Sequence, residues 1–167
     1  MEHESNVRFS ENIISLIVDG LHDEASATIV RAGQQLSVNQ ARRLTALVRI
    51  DKDKPEGIAE ISESNRRAYR KNGTWLAYVY LLGTELMDIE RWAAAEVALD
   101  EVIALSKVKA EFYFLDDAHL RRALCLKYLG RRREMEALKA ETSPTAKVFI
   151  CRDDLGGCVE LGRDDIV

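Results

Sequence analysis

Along most of the chain, apolar side chains recur three and four positions apart, the interval that gathers them on one face of an α-helix. Ile13, Ile14, Ile17, Val18 and Leu21 set the first stripe, with Ser10 as its expected cap and Gly20 near its end. Ala25, Thr28, Ile29, Ala32 and Leu36 repeat the pattern, and Gly33 weakens the helix near its finish. Ser37 followed by Gln40 predicts a capping box, so a third helix starts near Val38 and carries Ala41, Leu44, Thr45 and Val48. The charged break IDKDKPEG closes it. Asp53, Pro55 and Glu56 then open a fourth, with Ile58, Ile61, Ala68 and Tyr69 along one side.

Beyond Asn72-Gly73 the pattern is strongest. Trp75, Tyr78, Val79, Leu82, Gly83 and Leu86 form one stripe, and Trp92, Ala95, Leu99, Val102 and Ile103 another after a short turn, which predicts two packed antiparallel helices. The next helix carries Leu115, Ala118, Leu126 and Leu129 on one side and Leu120, Leu124 and Tyr128 on a second, so it is expected to be buried twice over. Gly130 ends it, and RRREMEALKAE supplies a shorter helix before Ser143-Pro144. The remainder, KVFICRDDLGGCVELG, places β-prone runs on either side of a turn at Asp154-Leu155-Gly156-Gly157. The pattern predicts a mainly all-α domain spanning residues 1–167, an antiparallel helix-hairpin array of about eight helices. A small β-hairpin is expected over 146–162, leaning on the helices because an isolated hairpin is marginal in water.

A glycine inside a helix costs about 1 kcal/mol relative to alanine, so Gly83 implies close approach of a neighbouring helix. The helix of Trp92 and Ala95 is the expected neighbour. Here the sequence resembles a tetratricopeptide repeat: Leu82-Gly83 matches its Leu-Gly pair, Leu86 its next large residue, Trp92 its second-helix aromatic and Ala95 its small contact. Leu99 and Val102 match later core positions. A degenerate second copy follows, with Ala123 at the small position, Leu126 after it and Gly130 at the turn. The resemblance covers residues 73–141 and implies paired, solenoid-like helices; a plain helical bundle is the structural alternative. The step from Gly83 to Ala123 exceeds the family period of about 34 residues, and the proline expected after the first copy is absent.

Composition narrows the functional classes. The chain has 167 residues, 47% apolar and 31% charged, and its apolar runs are far shorter than the roughly 20 residues of a membrane span. The polar amino terminus MEHESNVRFSEN lacks the character of a secretory signal, so a cytoplasmic location and reduced thiols at Cys125, Cys151 and Cys158 are expected. A net charge of −4 argues against nucleic-acid binding, since a polyanion needs a positive surface; a basic protein partner fits better. The basic clusters NRRAYRK and GRRRE read as solvated helix faces.

Little chemistry is visible. Asp116 and His119 share a helix face, yet carboxylates at a helix start are ordinary, and Asp116 and Asp117 fit that role. His3, His22 and His119 have no metal-ligand spacing, the Asp-Asp pairs lack the alternation of a calcium loop, and no cofactor motif occurs. The expectation is a protein that is not an enzyme. The ending LGRRREMEALKAETSP, then AKVFI, a glycine turn and LGRDDIV, resembles that of small α-helical immunity proteins of bacterial polymorphic-toxin systems. That resemblance implies binding to a cognate toxin domain, for example a basic nuclease, in the cytoplasm. Phe112 and Tyr113 are then candidate anchors, Asp153, Asp154, Glu160, Asp164 and Asp165 candidate steering charges, and Asp116 and Asp117 further candidate partner-binding residues. The rival is a tetratricopeptide-like scaffold or adaptor that holds a peptide or protein on its inner face.

Overall fold

The computed structural model describes residues 2–54 and 75–167. Seven α-helices lie among them: α1 Glu2–Val18, α2 His22–Ala32, α3 Val38–Lys52, α4 Trp75–Asp88, α5 Trp92–Lys109, α6 Leu115–Tyr128 and α7 Arg132–Glu141. Strands β1 Lys147–Arg152 and β2 Gly157–Gly162 follow as an antiparallel hairpin. The fold is therefore mainly α-helical with a small carboxy-terminal β element. The helix expected after Asp53, with Ile58, Ile61, Ala68 and Tyr69, lies outside the described residues.

Helices joined by short connections pack side by side. α5 is the central element, touching α3, α4 and α6, and its Ala95, Ala98, Leu99 and Val102 are completely buried. α6 is buried on two sides, as its double stripe predicts: Ala118, Leu120, Ala123, Leu124, Cys125 and Leu126 are all inaccessible to solvent.

Three helix pairs turn in the same way. At Gly20, Glu90 and Gly130 the backbone is left-handed, with φ of 74°, 62° and 69°. In each case that residue's N–H donates three residues back, and the next N–H donates five back: Gly20 to Ile17 and Leu21 to Leu16, Glu90 to Met87 and Arg91 to Leu86, Gly130 to Lys127 and Arg131 to Leu126. This double bond satisfies carbonyls that the helix end leaves free. Glycine adopts such a φ without strain, whereas Glu90 adopts it with its carboxylate 3.1 Å from Arg152. Ile13, Gly83 and Ala123 occupy equivalent sites before the three turns, and Ala25, Ala95 and Met135 equivalent sites after them, all buried. The first helix pair, which shows no convincing alignment as sequence, thus shares the turn geometry of the later ones.

Gly83 performs the expected task. A Cβ there would lie 3.0 Å from Leu99 Cγ and 3.5 Å from Ala98 Cβ, so its absence lets α4 and α5 approach.

Two local readings are corrected. Ser10 is no cap: α1 starts at Glu2, and Ser10 is fully buried, accepting a hydrogen bond from Gln40 Nε2. Ser37 Oγ does accept from Gln40 N at 3.2 Å, but the Gln40 side chain reaches across to α1 and fastens it to α3. Tertiary packing has taken over the second half of the box.

The hairpin lies on α6. Val148 and Ile150 point inward and Lys147, Phe149 and Cys151 outward, with Phe149 opposite Glu160 and Cys151 opposite Cys158. Cys151 and Cys158 are joined by a disulfide, correcting the expectation of free thiols at these positions. Their opposed places in the ladder bring the sulfurs within bonding reach. Cys125 is a buried free thiol.

Candidate protein-binding face

The loop between α5 and α6 begins where Ala110 takes a left-handed conformation and stops α5. It carries Phe112, Tyr113 and Phe114. Phe114 turns inward and stacks on Tyr80 of α4 with ring centroids 4.5 Å apart, and Tyr113 meets Phe114 edge-on at 4.9 Å. Tyr113 nevertheless stays 90% exposed and Phe112 60%. Two aromatic side chains are thus presented to water by a loop whose third aromatic is pinned.

The pin is part of a polar relay. Tyr80 Oη donates to Asp117 Oδ1 at 2.6 Å, and Arg121 Nε donates to the same oxygen at 2.6 Å. Arg121 also donates to the Phe149 carbonyl of β1 at 3.1 Å, so the aromatic loop and the hairpin are tied through one arginine. Burial and the bond to Asp117 push the Tyr80 phenol up to about 12, which keeps it a donor. On the outer side of β1, Phe149 is 62% exposed and faces Glu160, also exposed.

At the far end of the hairpin, Arg152 lies 4.5 Å over the Trp92 ring, and Trp92 stacks on Tyr128 at 4.2 Å. Arg152 also bonds the Met87 carbonyl at 3.3 Å, Glu90 at 3.1 Å and Asp154 at 2.8 Å. Asp154 accepts a hydrogen bond from Tyr128 as well, and that bond holds its carboxyl below the usual range. The result is a clamp that seats the hairpin tip on the α4–α5 turn.

The nine residues picked from the sequence therefore divide. Phe112, Tyr113 and Asp116 are exposed together at the start of α6. Asp117 is engaged by Tyr80 and Arg121, and Asp154 by the clamp. Asp165 accepts from the Gly162 N–H at 2.6 Å, a local cap, and Asp164 lies 3.4 Å from Arg163. Asp153 and Glu160 are exposed. Asp116 and His119 do not converge: the imidazole is 2% exposed and neither of its nitrogens has a hydrogen-bond partner among the described residues, whereas Asp116 is in solvent.

Phe149, Arg121, Tyr80 and Arg152 escape sequence reasoning. In KVFIC the apolar residues run consecutively, so nothing local says that Phe149 faces outward; docking on α6 decides it.

A concave region of about 450 Å³ lies among α3, α5 and α6 and is lined by Arg42, Arg43, Glu96, Asp100, Arg122 and Arg131. Most of its cations are bound. Arg43 pairs with buried Glu101 at 2.8 Å, Arg122 with Glu96 at 2.7 Å and Asp100 at 2.8 Å, and Arg131 with Glu96 at 3.2 Å and Glu134 at 2.5 Å. Among the described residues, no group of three or more His, Cys, Asp or Glu side chains is placed to hold a metal ion, and no helix is long and apolar enough to cross a membrane.

Compared with known proteins, the chain matches no family model, and no curated protein or solved structure matches it.

Proposed function

We propose that this chain is a non-catalytic binding protein, an immunity protein that neutralises a cognate bacterial toxin domain through the face made by Phe112, Tyr113, Asp116, Phe149 and Glu160. The carrying observation is the exposure of Tyr113 and Phe112 beside a ring, Phe114, fixed on Tyr80. Exposed aromatics on a fixed support give contact area with little ordering cost on binding, the property that makes interface anchors. The carboxylates of Asp116 and Glu160, which form no ion pair among the described residues, suit a basic partner and would accelerate encounter more than they tighten the complex.

Co-expression with the toxic domain encoded by the adjacent reading frame tests this. The chain rescues growth, and Phe112→Ala/Tyr113→Ala loses rescue while retaining the wild-type thermal midpoint. Failure of the unaltered chain to rescue rejects the immunity reading; full rescue by the double variant rejects this face.

The groove among α3, α5 and α6 favours a second reading, an adaptor with a tetratricopeptide-like inner surface. Arg42 is exposed there and makes no ion pair among the described residues, leaving a cation for an acidic peptide. Under that reading Arg42→Glu abolishes peptide capture and the two loop aromatics are dispensable.

A further inference from the structure

The outer face of the hairpin carries a chemical group that the binding reading does not use. Cys151 and Cys158 are both exposed, opposed in the ladder and bonded to one another. They are 7 residues apart, so the bond closes a short loop between strands that the ladder already pairs.

What seats the hairpin lies elsewhere. Val148 and Ile150 are buried beneath β1, and Ile166 is 1% exposed with its carbonyl accepting from Lys139 Nζ at 2.6 Å. Arg121 holds the Phe149 carbonyl, and Arg152 is clamped over Trp92. None of these contacts runs through sulfur. The hairpin thus has supports other than the disulfide, and both cysteines stand on the solvent side, where a thiolate has access.

We propose that Cys151–Cys158 is a reversible surface site of thiol–disulfide exchange with a dithiol reductant, separate from the elements that stabilise the fold. A thiolate of the dithiol attacks one sulfur, forming a mixed disulfide and releasing the other as thiolate. The second thiol of the reductant then attacks the mixed disulfide. The reductant leaves as its cyclic disulfide, and the protein gains two electrons and two protons as two thiols. Cys125 takes no part: it is fully buried, and burial pushes its thiol up to about 12, so little thiolate is available there.

The test uses the full chain, oxidised with glutathione disulfide and then treated under native conditions with dithiothreitol as the dithiol. Thiols are counted with a chromogenic disulfide reagent, with mass spectrometry locating them. The expected result is two new reactive thiols at Cys151 and Cys158, no reaction at Cys125 before denaturation, and reversal on re-oxidation. Far-ultraviolet circular dichroism and Trp92 emission in a Trp75→Phe background stay unchanged throughout, while Cys158→Ser keeps the fold and shows no exchange. A bond that never forms under oxidation, one that resists dithiothreitol until the protein unfolds, or a shift in Trp92 emission on reduction would each overturn the proposal.

Discussion

Arg152 of the hairpin lies over Trp92 of α5, 4.5 Å from the ring centroid, although the two are 60 positions apart in the chain. The contact joins the end of the molecule to its central helix. A guanidinium over an indole contributes about 0.5 to 2 kcal/mol depending on how far it is desolvated. Here the same group also bonds Glu90, Asp154 and a backbone carbonyl. Arg152→Ala is expected to lower stability by about 1 to 3 kcal/mol, read by urea denaturation. Arg152→Lys is expected to recover less than half, since an ammonium cannot span the same acceptors in one plane. Equal stability of the lysine variant and wild type would mean that charge alone holds the clamp.

Gly83 gives a prediction of sign. Alanine there gains about 1 kcal/mol of helix propensity. It also places a methyl 3.0 Å from Cγ and 3.1 Å from Cδ2 of Leu99, a fully buried side chain that would have to shift by a few tenths of an ångström. Overpacking of a tight core costs about 1 to 3 kcal/mol, so Gly83→Ala is expected to destabilise on balance. A raised thermal midpoint would show that α4 and α5 can separate freely.

Arg43 and Glu101 form a pair that should be removed together or not at all. Glu101 is 1% exposed and Arg43 lies 2.8 Å away. Removing one partner of a buried pair typically costs about 3 to 5 kcal/mol, because the other charge stays buried unpaired. Arg43→Met alone should approach that loss, discounted for the partial exposure of Arg43, and Arg43→Met/Glu101→Leu should recover most of it. A double variant no better than the single would show that these side chains contribute packing instead of pairing.

His119 sets a pH dependence. Its ring is buried without hydrogen-bond partners among the described residues, and burial first, then Lys107, lower its pKa; Glu141 and Asp116 oppose them, and Arg122 adds a smaller lowering. The unfolded chain therefore binds a proton that the folded chain resists. The stability this residue contributes is complete above its unfolded pKa of about 6.5 and falls as pH drops through the window below it, by at most about 1.4 kcal/mol per pH unit. His119→Leu should be at least as stable as wild type at pH 7 and increasingly more stable towards pH 5. Parallel stability curves for the two proteins would refute a neutral buried imidazole.

The sequence by itself determined the helices around 13–52 and 75–141, the terminal hairpin and the use of Gly83, because each depends on apolar spacing or on one local conformation. It also singled out Phe112, Tyr113 and Asp116 as candidate contacts, but their exposure was decided by the fold. The tertiary structure alone decided that Ser10 is buried under Gln40, that Phe149 faces solvent, and that Asp117 and Asp154 are spent on internal bonds. It alone brought Arg121 and Arg152 to partners on other elements. Periodicity records which side of an element is apolar, whereas a polar side chain's partner depends on which element arrives opposite it, and no local spacing encodes that.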